Sequence, residues 1–114
     1  MDGERYTVGE LCTMTGITRK TLFYYDRIHL LEPSARIGAQ KHKIYSNADY
    51  ERLRNILKYK EAGLLLNEIR GILDMDDQRK KEILLKTQQR LETEIQQKQN
   101  QAQVLNQLIH SLQE

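Results

Sequence analysis

A single cysteine, Cys12, excludes an intramolecular disulfide in this 114-residue chain. No run of eighteen or more apolar residues is present and no secretory leader opens the chain, so the sequence predicts a soluble, cytoplasmic protein that does not engage a membrane. The three histidines, His29, His42 and His110, stand far from one another and from Cys12. That spacing suits no metal, and neither a metal nor any other cofactor is expected. A phosphate-binding glycine loop, a nucleophile with its base and a paired-carboxylate pocket are all missing, so an enzyme is not expected either. The length allows one small domain and an extension, with a core stable enough to fold but not generously so.

A strongly basic balance is lacking too, since the formal net charge is only +2. The charges are segregated, however. Residues 19–60 carry ten cations against four acids, a net of +6, whereas the six cations beyond residue 75 meet six acids. A basic footprint confined to one half of a chain is what a nucleic-acid contact requires.

That half opens with two short helical patterns. Thr7 followed three residues later by Glu10 makes a capping box, and Val8, Leu11 and Cys12 keep helical spacing after it, with Cys12 expected to pack as a small hydrophobe. Thr15 and Gly16 break the helix, and Thr18 offers the cap of a second one with Leu22 and Tyr25 on its buried side. Two short helices around a glycine-containing turn form a helix-turn-helix. The second helix places Arg19, Lys20, Phe23, Tyr24 and Arg27 on one face, mixing cations with rings. In the major groove such a face can donate to guanine and pack on a thymine methyl. Pro33 then stops regular helix, and residues 36–45 form a loop with Gly38, Arg36, Lys41 and Lys43. A second capping box, Ser46 to Asp49, starts a helix carrying Tyr50, Leu53, Ile56 and Leu57 and ending at Ala62 and Gly63. Leu66, Ile69, Ile72 and Leu73 give one more short amphipathic helix.

The segment YTVGELCTMTGITRKTLFYYDRIHLLEPSAR, followed by KIYSNADYERLRNILKYKEAGLLLNEIRGIL, resembles the MerR family of bacterial transcription regulators over about residues 5–74. It looks closest to the multidrug- and thiopeptide-responsive branch, the TipA and Mta type. Phe23 stands where the family pattern has arginine, and His29 where it has glycine. The resemblance implies a winged helix-turn-helix in which the loop before Tyr45 is a β-hairpin wing along the phosphates. It also implies that base edges are read by Arg19 and Lys20. Phosphates would be held by Tyr24, Arg36, Lys41, Lys43 and Lys60, with Arg27, His42 and Tyr45 in the same surface. Phe23 departs from the pattern, and its ring is expected to make an apolar contact to a thymine methyl or sugar instead. Metal- and superoxide-sensing relatives carry cysteines in or after a long helix, and this chain has none there.

From Asp77 to Gln113 the chain holds no glycine or proline and reads as one helix, roughly 55 Å long at 1.5 Å per residue. Leu84, Gln88, Leu91, Ile95, Lys98, Ala102, Leu105, Ile109 and Leu112 alternate spacings of four and three, the seam of a coiled coil. One helix cannot bury its own seam, so a homodimer is expected through Leu84, Leu91, Ile95, Ala102, Leu105, Ile109 and Leu112. The resemblance implies that the two helices run antiparallel.

The expected fold is therefore mainly α: a winged helix-turn-helix over residues 1–75 and a coiled-coil dimerisation helix over 76–114. The expected function is a sequence-specific regulator, an activator, that binds an inverted-repeat promoter in double-stranded DNA as a homodimer and distorts it, so that RNA polymerase is served indirectly. An excisionase-like DNA-bending protein and a coiled-coil adaptor that binds protein only are the competing classes. No effector domain fits after the dimer helix, so the chain reads as a minimal regulator acting without added ligand or as the N-terminal piece of a longer, ligand-responsive one.

Overall fold

The computed structural model describes residues 3–113, and each helix begins where a side chain can satisfy a backbone N–H that has no carbonyl behind it. Thr7 Oγ1 accepts from the Glu10 N–H at 3.1 Å while Glu10 Oε1 accepts from the Thr7 N–H at 3.0 Å, starting α1 (Val8–Thr15). Gly16 ends it with φ +81°, a left-handed conformation that a side chain would strain, and donates its N–H to Cys12 O at 2.9 Å. Thr18 Oγ1 accepts from the Thr21 N–H and opens α2 (Arg19–Arg27). Ser46 and Asp49 close a second capping box at the head of α3 (Asn47–Glu61). Glu68 Oε1 accepts from the Leu65 N–H at 2.8 Å as α4 (Leu66–Ile72) begins, and Asp76 caps α5 (Asp77–Leu112).

Among the described residues three short strands complete the fold: β1 (Arg5–Thr7), β2 (Ala35–Ile37) and β3 (His42–Ser46). They form one antiparallel sheet in the order β1-β3-β2, with Tyr6 opposite Tyr45 and Arg36 opposite Lys43. The expected hairpin is β2–β3. Its third strand, β1, carries no signal in the sequence, because three residues show no periodicity.

The chain divides into two compact units, at Leu73 and Asp74. In the first, α1 packs on α2 and on the sheet, while α3 packs on β3 and α4. Leu11, Leu22, Tyr25, Leu30, Leu31, Tyr45, Leu53, Ile56, Ile69 and Ile72 are all buried there. Each contributes on the order of 1.5–3 kcal/mol by leaving water, which is why the i, i+3, i+4 apolar spacing of these helices predicts their inner faces. Cys12 is half-buried beside the fully buried Leu11. The second unit contains α5, on which Thr87 is the one buried residue among those described. Of the expected seam, Leu84, Ile95, Ala102, Leu105, Ile109 and Leu112 are exposed and Leu91 is half-buried. Leu85, Val104 and Leu108 are exposed as well, so the apolar stripe is wider than a strict seam.

Candidate nucleic-acid interface

Helix α2 turns Leu22 and Tyr25 into the core and leaves Arg19, Lys20, Phe23, Tyr24 and Arg27 in solvent. The Arg27 guanidinium lies 5.5 Å from the centroid of the Tyr24 ring. Arg19 is held from the other side. A methyl group on Gly9 of α1 would sit 3.0 Å from Arg19 Nη2, so the guanidinium lies close against the backbone of α1. This places one cation at the start of α2 against the neighbouring helix while its outer surface stays exposed.

Beside α2 stands the β2–β3 hairpin. Gly38 at φ +79° and Lys41 at φ +53° close its four-residue tip, where the Lys41 N–H donates to Gly38 O at 3.1 Å. Lys41 and His42 are exposed at this tip. Arg36 and Lys43, directly opposite each other in the hairpin, are both tied to α2. Arg36 Nη2 lies 2.9 Å from Asp26 Oδ1, and Lys43 Nζ lies 2.9 Å from Asp26 Oδ2. The Lys43 ammonium also stands over the Phe23 ring, 4.2 Å from its centroid. Burial pushes the Asp26 carboxyl up, but the hydrogen bonds from Arg36 and Lys43 outweigh it and hold the group below the usual carboxylate range. Val8, Gly9, Arg19, Phe23, Lys41 and Lys43 line part of an open cleft of about 530 Å³ between the helix-turn-helix and the wing.

Ten of the eleven residues expected to contact DNA have at least partly accessible side chains; nine lie on α2 and the wing, and Lys60 lies apart in the sequence, near the end of α3. Tyr45 is the exception. Its side chain is fully buried and its hydroxyl has no hydrogen-bond partner among the described residues, so it is a core residue and not a surface for DNA. Burial pushes that hydroxyl up to about 12. Strand alternation puts Tyr45 on the same face as Lys43, and that face turns inward: Lys43 reaches Asp26 of α2, and Tyr45, two residues further along β3, lies wholly in the core.

Three residues escaped the sequence reading. Asp26 counts there only as one acid in a basic stretch. Arg52 Nε donates to Leu30 O at 3.0 Å, and Arg70 donates through Nη1 to His29 O at 3.3 Å and through Nη2 to Ile28 O. Two guanidinium groups from α3 and α4 thus satisfy three successive carbonyls just after α2, the end at which the helix dipole favours a cation. Basic residues on the amphipathic patterns of α3 and α4 were the only signal for them.

Residues 6–76 match the family model of the MerR HTH family regulatory proteins, and residues 50–114 match a second model described as MerR, DNA binding. The chain is 41% identical over 99 residues to the HTH-type transcriptional activator mta of Bacillus subtilis, covering 81% of this chain and 38% of that protein. It is 46% identical over 69 residues to the HTH-type transcriptional activator TipA of Streptomyces coelicolor, covering 60% of this chain and 27% of that one. The chain therefore spans less than half the length of these curated relatives. Its fold superposes on the crystal structure of MtaN, the N-terminus of the Bacillus subtilis multidrug transporter activator, with a TM-score of 0.83 at 34% identity over 91% of this chain and 97% of that one. The first model alone covers more than half of the sequence and the second takes in the long helix, so the chain belongs to the MerR family of helix-turn-helix regulatory proteins.

Proposed function

We propose that this chain is a promoter-binding transcription regulator of the activator kind, working as a homodimer on double-stranded DNA. One observation carries the reading: the exposed Arg19, Lys20, Tyr24 and Arg27 of α2 stand beside a wing that is fastened to α2 and presents Lys41 and His42 at its tip. A helix face of this chemistry suits the major groove, and the wing tip suits the backbone of the same duplex. Arg19 and Lys20 are the base-reading residues in this account; Tyr24, Arg27, Lys41, His42 and Lys60 hold phosphates. Binding and DNA distortion are the work of this chain, with no catalytic step.

The dimer rests on α5. Ile95, Leu105 and Ile109 are each more than half exposed on a helix of 36 residues, and a second copy in antiparallel coiled-coil pairing is the occupant that its four-three spacing suits. Two copies present two α2 helices and two wings, which suits an inverted repeat. Bending a site of roughly 20–30 base pairs costs on the order of 1–6 kcal/mol, which paired phosphate contacts from two subunits can offset. RNA polymerase would then meet a reshaped promoter rather than this protein alone. The named relatives are transcriptional activators, which supports that sign of regulation.

Titration of a fluorescent duplex over a range of salt concentrations tests the reading. Binding should weaken steeply as salt rises, with several counterions released per dimer. A protein-only adaptor would show no such affinity.

A further inference from the structure

We propose that Phe23 and Asp26 of α2 together form a seat for the Lys43 ammonium, and that this seat makes Lys43 the anchor of the wing rather than one of its phosphate contacts. The inference rests on the DNA-binding reading for its consequence but not for its geometry. Phe23 and Asp26 are three residues apart, one turn of α2, so they lie on the same face. Lys43 Nζ reaches both at once, at 2.9 Å from the carboxylate and 4.2 Å from the ring centroid. Its side chain is only 22% exposed, whereas Lys41 at the wing tip is exposed and its ammonium pairs with no carboxylate among the described residues.

Two further facts make the seat necessary. Arg36 faces Lys43 directly across the hairpin, and like charges in that relation repel unless something neutralises them. The Asp26 carboxylate does so with one oxygen for each cation, and the Phe23 ring presents its negative face to the ammonium. An arginine at position 23, the residue of the family pattern, would offer no ring and would add a third positive charge. The wing of this chain is therefore held to α2 by a pairing that depends on its own departure from that pattern. Helix and wing become a single reading head, and the discrimination between DNA sequences depends on the seat although Lys43 itself reads no base.

The test uses the whole chain with Lys43→Gln, Phe23→Leu and both together, and Lys41→Gln as the comparison. Phe23 lies at the surface, so its replacement leaves the core intact. Amide hydrogen exchange over residues 36–44 in the protein without DNA should speed up about threefold to tenfold in either single variant, the size of a partly desolvated cation–π contact. The double variant should be no faster than the faster single one. On DNA, Lys43→Gln and Phe23→Leu should lower the ratio of cognate to random affinity several-fold while the slope of log affinity against log salt moves by less than half a unit. Lys41→Gln should leave wing exchange alone and flatten that slope by about two units, roughly one for each subunit of the dimer. Wing exchange in Phe23→Leu equal to that of the parent overturns the seat, as does a Lys43→Gln protein that flattens the slope by about two units, one per subunit, at unchanged selectivity. Should no form bind DNA in a salt-dependent way, the DNA-binding reading fails by itself, and the exchange measurement still decides the seat.

Discussion

His29 adopts φ +61° just after α2, a left-handed conformation that a non-glycine residue enters at a cost of roughly 1–2 kcal/mol. Its side chain is largely exposed and meets Glu32 at 3.0 Å, an arrangement worth little at a protein surface. His29→Gly should therefore stabilise the fold by about 0.5–1 kcal/mol after the extra freedom of glycine in the unfolded chain is deducted, and thermal melting should rise by several degrees. Arg19 and Lys41 separate two kinds of contact. Arg19→Ala should cost about 1–3 kcal/mol on a specific site and little on random DNA, whereas Lys41→Ala should weaken both alike; equal losses for Arg19→Ala would remove it from base reading. The cations and rings of this surface were legible one by one from helical spacing. Asp26 was not, because the cations that make it central lie 10 and 17 positions further along and reach it only once the hairpin has folded back.

At the scale of elements, α1, α2 and α3 announce themselves through Thr7, Thr18 and Ser46, whose hydroxyls cap the helices as their spacing predicts. Strand β1 does not, since its hydrogen bonds go to β3 some forty residues away. The wing and α2 are two elements joined by one carboxylate, and that joint has a pH signature. Because the native Asp26 is held below the ordinary aspartate value of about 3.9, its contribution is complete above that value and is lost as pH falls through the native one. The groups facing it are Arg36 of β2 and Lys43 and Tyr45 of β3; Asp26 itself pushes the Arg36 guanidinium up, and burial pushes the Tyr45 hydroxyl up, so neither changes charge in this range. The difference in melting temperature between the parent and Asp26→Asn should thus be constant from pH 8 to about pH 5 and shrink below about pH 4. A difference that instead changes around neutrality would place the controlling group elsewhere.

For the whole molecule, the four-three spacing of Leu84 to Leu112 foretold a long helix with an apolar seam, and α5 supplies the helix. The sequence reading underestimated the stripe, because Leu85, Val104 and Leu108 fall outside a strict heptad yet are also exposed. Such a surface on a chain of this size calls for a partner, and replacing Ile95 and Leu105 by glutamate should convert a sedimenting dimer into monomer while the fold of residues 3–73 persists by circular dichroism. A dimer that survives both changes would put the interface elsewhere. The most direct test of the central claim is selection of bound duplexes from a pool of random DNA with the purified chain. An inverted repeat with two equivalent half-sites is the predicted outcome, since two α2 helices related by a dimer axis must read the same bases in opposite directions. A pool that shows no enrichment, or that converges on a single asymmetric site, would contradict the account.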